Sequence, residues 1–130
     1  MIVVDASVAV DILLQLDAAD VLMDSLFDET ETLHAPQLMD IEVAQVIRRY
    51  WRAGDIPAAR GMQAIEDLRD LPITRYAHEP LLDRIWQLRA NATAYDAAYL
   101  ALAEALGAVL LTRDKALARI PGVKVVVEVV

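Results

Sequence analysis

The chain alternates short apolar runs with longer stretches of helical spacing, and this alternation restricts its fold more than any other feature. Ile2–Val4 is the first such run, and residues 108–112 form another. Both are typical of buried strands in a parallel sheet. Because strands that alternate with helices build a parallel sheet covered by helices, the sequence predicts an α/β fold. The 130 residues contain no linker, repeat or low-complexity segment, which indicates a single domain, residues 1–130.

The remaining elements follow from apolar spacing and from the residues that begin and end helices. The sequence predicts strands at residues 2–4, 32–35, 73–76, 108–112 and 123–127. It predicts helices from residue 7 onward and at residues 18–27, 39–52, 56–71, 80–89, 95–106 and 114–118. Pro57 suits the first turn of the helix 56–71, and Gly107 suits the end of the helix 95–106.

Three aspartates lie where predicted strands end or a predicted helix begins. Asp5 directly follows the first strand, Asp114 lies two residues beyond the strand 108–112, and Asp96 lies near the start of a helix. Ligands of open parallel sheets bind at the carboxyl ends of the strands. We therefore expect these three carboxylates to lie along one rim of the sheet.

Glu42 is placed near the same rim by its position on the helix 39–52. At about 100° per residue, the apolar side chains of this helix form one stripe, with Glu42 on its border near the start of the helix. The stripe consists of Met39, Val43, Val46, Ile47 and Tyr50. Because a half-buried carboxylate without a cation is unstable, this position predicts a positively charged partner.

Four carboxylates along one rim suit a hard divalent cation. Mg²⁺ and Mn²⁺ prefer carboxylate oxygens and water, and such ions activate a water for phosphodiester cleavage. The chain has no cysteine, which excludes a thiol nucleophile and a Cys-ligated zinc site. His34 and His78 do not form a ligand-spaced pair, and we expect both to be packing or surface residues.

Each acid also has a simpler structural explanation, which the sequence leaves open. Asp5 suits hydrogen bonds to backbone amides at the start of the first helix, and Asp114 suits a helix N-cap. Asp96 completes a capping box that begins three residues earlier. Glu42 suits a surface ion pair with Arg49. Capping and metal binding are compatible, so these explanations do not exclude a metal site.

The net charge of −8 argues against nucleic-acid binding, because phosphate contacts come from cationic patches. Bound divalent ions would cancel part of this charge, and ten of the twelve cationic side chains are Arg, which binds phosphate bidentately. Arg113 and Arg49 are the candidate phosphate contacts.

Trp51 and Trp86 are expected in the core or in an interface. The chain opens without a signal peptide and no apolar run is long enough to span a membrane, so we expect a cytoplasmic protein.

The motifs that carry these acids resemble those of a known family. They are VVDAS at residues 3–7, DIEV at 40–43, TAYDAAY at 93–99 and LTRD at 111–114. Together and in this order they resemble the PIN domains, and in particular the VapC toxins of bacterial type II toxin–antitoxin modules. The resemblance covers essentially the whole chain.

The resemblance implies a PIN-like three-layer α/β/α sandwich with a central parallel sheet, and Mg²⁺- or Mn²⁺-dependent endoribonuclease activity on a structured cellular RNA. It implies Asp5 and Asp96 as direct metal ligands, with Glu42 and Asp114 completing the catalytic quartet directly or through water. The implied supporting residues are hydroxyls that orient these acids, Ser7 and Thr112. The implied partners are RNA, a second copy in a homodimer and a cognate VapB-type antitoxin.

Three other functions are weighed against this one. A phospho-receiver domain also places acids around Mg²⁺, but it needs a pair of adjacent acids after the first strand, and here Ala6 and Ser7 follow Asp5. It also needs a lysine after a late strand, opposite those acids, whereas Lys115 lies just past Asp114. A haloacid-dehalogenase-like phosphatase needs a second acid where Ser7 stands. A catalytically silent PIN scaffold is disfavoured by the intact quartet.

Overall fold

Five parallel strands form the centre of the protein in a computed structural model that describes residues 1–16, 19–26 and 28–130. The strands are β1 (Ile2–Val4), β2 (Leu33–Pro36), β3 (Ile73–Tyr76), β4 (Val109–Thr112) and β5 (Val127–Val129). The helices are α1 (Ala6–Leu14), α2 (Ala19–Leu26), α3 (Leu38–Arg52), α4 (Ala58–Asp70), α5 (Leu82–Gln87) and α6 (Ala94–Leu106). Two short 3₁₀ turns, Glu79–Leu81 and Leu117–Arg119, complete the described elements.

The strand order β3-β2-β1-β4-β5 determines the layers of the fold. The chain moves outward in one direction from β1 to β3 and then continues on the other side of β1. Because parallel crossovers are right-handed, this reversal places the early helices on one face of the sheet and α5 and α6 on the other. In agreement, α1 contacts α2, α3 and α4, while α6 contacts β1, β2, β4 and α5. The predicted three-layer α/β/α fold is confirmed.

The hydrophobic core is one cluster that includes buried residues of the sheet and of the helices on both of its faces. Val3 and Val4 of β1 are fully buried, and seven consecutive residues of α6, from 97 to 103, are buried because this helix lies between the sheet and α5. Gly107 ends α6 in the left-handed conformation at φ 62°, as the sequence predicts. None of the described helices is both long enough and apolar enough to cross a membrane.

Two predicted elements near the C-terminus are wrong. Residues 114–118 form no α-helix. Oδ1 of Asp114 accepts the backbone N–H of Ala116 (2.8 Å) in a turn, and the 3₁₀ turn Leu117–Arg119 follows. The last strand is not 123–127 but β5, since residues 122–124 are tied to Arg84 and Glu104 through the carbonyl of Gly122 and the N–H of Lys124.

Smaller differences concern helix ends and the two tryptophans. The predicted helix 80–89 is a 3₁₀ turn followed by the shorter α5. The predicted helix 18–27 corresponds to α2, and its predicted terminal residues, Ala18 and Phe27, lie outside the described residues. Trp51 and Trp86 are 52% and 67% exposed, so the prediction of a core position is wrong for both, and an interface role stays a prediction.

Candidate active site

The site lies where the strand order reverses. β1 and β4 are neighbours whose connecting segments run to opposite sides, and such a switch point opens a crevice at the carboxyl ends of the strands. Asp5 directly follows β1, and its backbone N–H donates to the carbonyl of Leu111 in β4 (3.0 Å). Asp114 follows β4 by two residues. The topology therefore brings these two acids to the same crevice.

Two helix starts bring the other two acids to this rim. α3 follows β2 directly, so it begins at the carboxyl end of the sheet, with Glu42 near its start. α6 precedes β4 and runs back toward the start of that strand, so its own first turn, with Asp96, lies at the same end. All four carboxylates line one groove of about 580 Å³. The predicted convergence of the acids is confirmed.

Two hydroxyl groups hold the carboxylate of Asp5. Oγ of Ser7 and Oγ1 of Thr112 both donate to its Oδ2, at 2.8 and 2.7 Å. Among the described residues, no hydrogen bond reaches Oδ1 of Asp5. The same hydroxyls accept the backbone N–H groups of Arg113 and Asp114, each at 3.0 Å. The segment that carries Asp114 is thus fixed relative to Asp5.

Glu42 is held by the buried Tyr99 of α6, which sequence reasoning did not include among the site residues. The hydroxyl of Tyr99 donates to Oε1 of Glu42 at 2.7 Å, and the phenol is 1% exposed. One available signal is that Tyr99 follows Asp96 by three residues and so lies on the same face of α6. Glu42 forms no ion pair with Arg49 within the described part of the chain, so the surface-pair explanation for Glu42 is wrong.

The acids of the groove repel one another. Burial raises the pKa of Glu42, the hydrogen bond from Tyr99 opposes this rise, and the charges of Asp5 and Asp96 add to it. Burial also raises the pKa of Asp96, and the charges of Asp5 and Asp114 raise it further. Burial and the charge of Glu42 raise the pKa of Tyr99 well above its ordinary value, so its phenol stays a hydrogen-bond donor. A bound cation would relieve this repulsion.

Comparison with known proteins shows the family of the chain. The sequence model of the PIN domain matches residues 2–123. The chain belongs to the PIN-domain family. Ribonuclease VapC9 of Mycobacterium tuberculosis is 46% identical over 114 residues, which cover 88% of this chain and 86% of that protein. Ribonuclease VapC12 of the same species is 38% identical over 130 residues, which cover 100% of this chain and 99% of the relative.

The PIN fold is also found in solved structures. A crystal structure of VapBC2 from Rickettsia felis, bound to a DNA fragment from its promoter, contains a chain that superposes with a TM-score of 0.72. The two chains are 15% identical, and the match covers 98% of each. Membership of the PIN family removes the phospho-receiver and haloacid-dehalogenase alternatives.

The donor set of this PIN domain fits a hard divalent ion. Within the described ranges, no group of three acidic or histidine side chains converges on a common metal position. Mg²⁺ does not need such a group, because it is usually bound by one or two carboxylates together with waters and substrate phosphates. Asp5 and Asp96 supply two carboxylates to the same groove, and the charge of Asp5 raises the pKa of Asp96.

The capping explanations are partly right and leave the carboxylates in the groove. Thr93 caps α6 by accepting the backbone N–H of Asp96 (3.1 Å), so the cap uses the main chain of Asp96. Oδ1 of Asp114 accepts the N–H of Ala116 in a turn rather than at the start of an α-helix. Both acids still line the groove. Asp96 and Asp114 therefore take part in local turns or caps and also contribute their carboxylates to the groove.

The two predicted phosphate contacts are placed differently. Arg49 lines the groove. The guanidinium of Arg113 instead forms an ion pair with Asp11 of α1, whose side chain is only 10% exposed. The two histidines make hydrogen bonds within the fold. The ring of His34 is hydrogen-bonded to Tyr76 and Thr32 (2.7 and 2.8 Å), and His78 accepts the N–H of Leu38 at the start of α3 (2.9 Å).

Proposed function

We propose that this PIN domain is the toxin of a VapBC-type toxin–antitoxin module, an endoribonuclease that cleaves cellular RNA through a metal-activated water. The observation that supports this best is the groove at the switch point, where four carboxylates meet and the first is oriented by two hydroxyls. The relatives that match over most of the chain carry the name ribonuclease VapC. Because the proposed substrate is cellular RNA, we expect the protein to act in the cytoplasm.

Asp5 and Asp96 would hold Mg²⁺ or Mn²⁺ directly, and Glu42 and Asp114 would complete the site directly or through water. When bound, the ion supplies the positive charge that activates water and stabilises the phosphate. Ser7 and Thr112 orient Asp5 by binding one of its oxygens. Such orienting partners commonly change metal affinity about 10- to 100-fold.

The partners follow from the same proposal. A cognate VapB-type antitoxin neutralises the toxin, and two copies of this chain form a homodimer. Because the groove is acidic, a basic segment of the antitoxin would lie in it and present an arginine to the carboxylates. The double variant Asp5→Asn, Asp96→Asn would then bind the antitoxin more weakly than the wild type. Unchanged antitoxin affinity would count against this mode of inhibition.

The enzymatic proposal is tested with the purified chain, free of partner, on total cellular RNA. With Mg²⁺ or Mn²⁺ we expect discrete cleavage products, and we expect none with EDTA. Asp5→Asn and Asp96→Asn should each reduce the cleavage rate at least about 100-fold, because each removes a charged ligand. Asp83→Asn is the matched control, since Asp83 is exposed on α5 and does not line the groove. Cleavage that survives both site variants, or that needs no metal, would refute the assignment.

A further inference from the structure

Two large hydrophobic side chains stand exposed beside the acidic groove. Ile41 is 74% exposed and Tyr95 is 65% exposed, and both line the groove that contains the four carboxylates. Single exposed hydrophobic residues are common on protein surfaces. Two of them at the mouth of one functional groove indicate a surface that binds an apolar or aromatic group.

The backbone places these side chains directly beside two of the acids. Ile41 precedes Glu42 on α3, and Tyr95 precedes Asp96 on α6. The hydrogen bond between Glu42 and Tyr99 (2.7 Å) joins these two helices. Ile41 and Tyr95 therefore lie on the two helices that this bond joins, and both line the groove with the four acids.

The charge of the groove restricts how RNA can bind there. Its lining includes four acids, and Arg49 is the one cationic side chain among the described residues that line it. The whole chain carries a net charge of −8. Binding through many phosphates needs several Lys or Arg contacts, which this groove does not offer. Aromatic side chains supply the alternative, because every nucleobase has a face that can stack.

We propose that Ile41 and Tyr95 form a base clamp that receives an unpaired nucleobase of the RNA substrate next to the scissile phosphate. The base stacks on the ring of Tyr95 and packs against Ile41, while its phosphate lies toward the carboxylates. In a duplex both faces of a base are covered by its neighbours, so the clamp selects single-stranded or looped RNA. The inference rests on the proposed acidic site, because it places the clamp beside that site.

The test compares KM and kcat of the full chain on total cellular RNA, from initial rates of appearance of new 5′ ends at saturating Mn²⁺. Tyr95→Ala should raise KM about ten-fold or more, the loss expected for one stacked base, with little change in kcat. Tyr95→Phe should keep the wild-type KM because it keeps the ring. Ile41→Ala should raise KM by a smaller factor. Leu82→Ala is the control, since Leu82 is 53% exposed on α5 and does not line the groove.

Salt dependence gives an independent readout. Each phosphate contact adds about −0.7 to the slope of log affinity against log salt concentration for single strands. Because Arg49 is the one cation among the described residues that line the groove, we expect a slope of about −0.7 for 1/KM. A slope steeper than about −3 would overturn the clamp, since it would show that phosphate contacts dominate binding.

The possible failures are distinguishable. If Asp5→Asn and Asp96→Asn leave cleavage intact, the proposed active site is wrong, and the base clamp, which depends on it, is wrong as well. If those variants abolish cleavage but Tyr95→Ala has the wild-type KM, only the clamp is wrong. A wild-type KM together with weaker binding of the antitoxin would likewise overturn the clamp and assign Tyr95 to a protein contact.

Discussion

Removal of a single oxygen atom tests how the site holds Glu42. In Tyr99→Phe the buried ring stays, but the hydrogen bond of 2.7 Å to Oε1 of Glu42 is lost. Hydrogen bonds to charged groups contribute about 1.5–3 kcal/mol to stability. Because Glu42 is only half-buried and water can replace part of the lost bond, we expect the lower end of this range, about 1.5 kcal/mol. For a domain of this size this corresponds to a fall in Tm of roughly 4–6 °C.

The same substitution frees the carboxylate of Glu42 to leave its position in the groove. We expect Mn²⁺ affinity to fall about 10-fold, the lower end of the range for residues that orient metal-binding groups. Mn²⁺ titration followed by electron paramagnetic resonance measures this change, and thermal unfolding in EDTA measures stability separately. Tyr95→Phe is the matched control, because it removes a hydroxyl from an exposed tyrosine on the same helix.

The reasoning is refuted if Tyr99→Phe unfolds at the wild-type temperature and binds Mn²⁺ with wild-type affinity. A loss of stability without a loss of Mn²⁺ affinity would show that Tyr99 only stabilises the contact between α3 and α6. An equal effect of Tyr95→Phe would show that the loss does not depend on Glu42.

Two further predictions concern ion pairs outside the quartet. Asp11→Asn should destabilise the protein by about 1–3 kcal/mol in urea unfolding, because it removes the negative charge that pairs with the partly buried Arg113. It should also lower kcat/KM, because this ion pair is one of the contacts that hold the segment before Asp114. Wild-type stability would contradict this prediction. Glu104→Gln should lower the free energy of unfolding by about 1 kcal/mol at pH 7, because Arg84 donates two hydrogen bonds to this carboxylate (2.7 and 2.9 Å). These bonds hold the pKa of Glu104 below its ordinary value, so their stabilisation is complete above that ordinary value and is lost as the pH falls through the folded pKa. Urea midpoints measured from pH 7 to pH 3 should therefore converge for wild type and variant at the acidic end, and parallel curves would contradict the prediction.

Much of the fold and site was predictable because it depends on local patterns. β1 and β4 are short apolar runs, and residues that follow parallel strands reach the same rim whatever the rest of the chain does. This places Asp5 and Asp114 together. The stripe of α3 is also local, and the structure confirms it: Met39, Val43 and Ile47 are buried, and Glu42 is half-buried at the border.

The pairings between distant residues were not predictable from such patterns. Tyr99 and Glu42 are 57 residues apart, and Arg113 and Asp11 are 102 apart. Each side chain is unremarkable in its own segment, and its partner is determined by how helices on different layers approach each other. The C-terminal strand was misplaced for the same reason, since Arg84 and Glu104 anchor residues 122–124 before pairing with β4 begins.

The sequence by itself therefore determined the layered α/β architecture, the rim of acids and the resemblance to PIN domains, because strand and helix periodicity and short motifs are properties of neighbouring residues. Only the tertiary structure decided how those acids are held: Asp5 by two hydroxyls from β4 and α1, Glu42 by a tyrosine from another layer, and Arg113 by an ion pair with α1. The physical reason is that hydrogen bonds and ion pairs act over a few ångströms, and only the packed chain brings these groups within that distance.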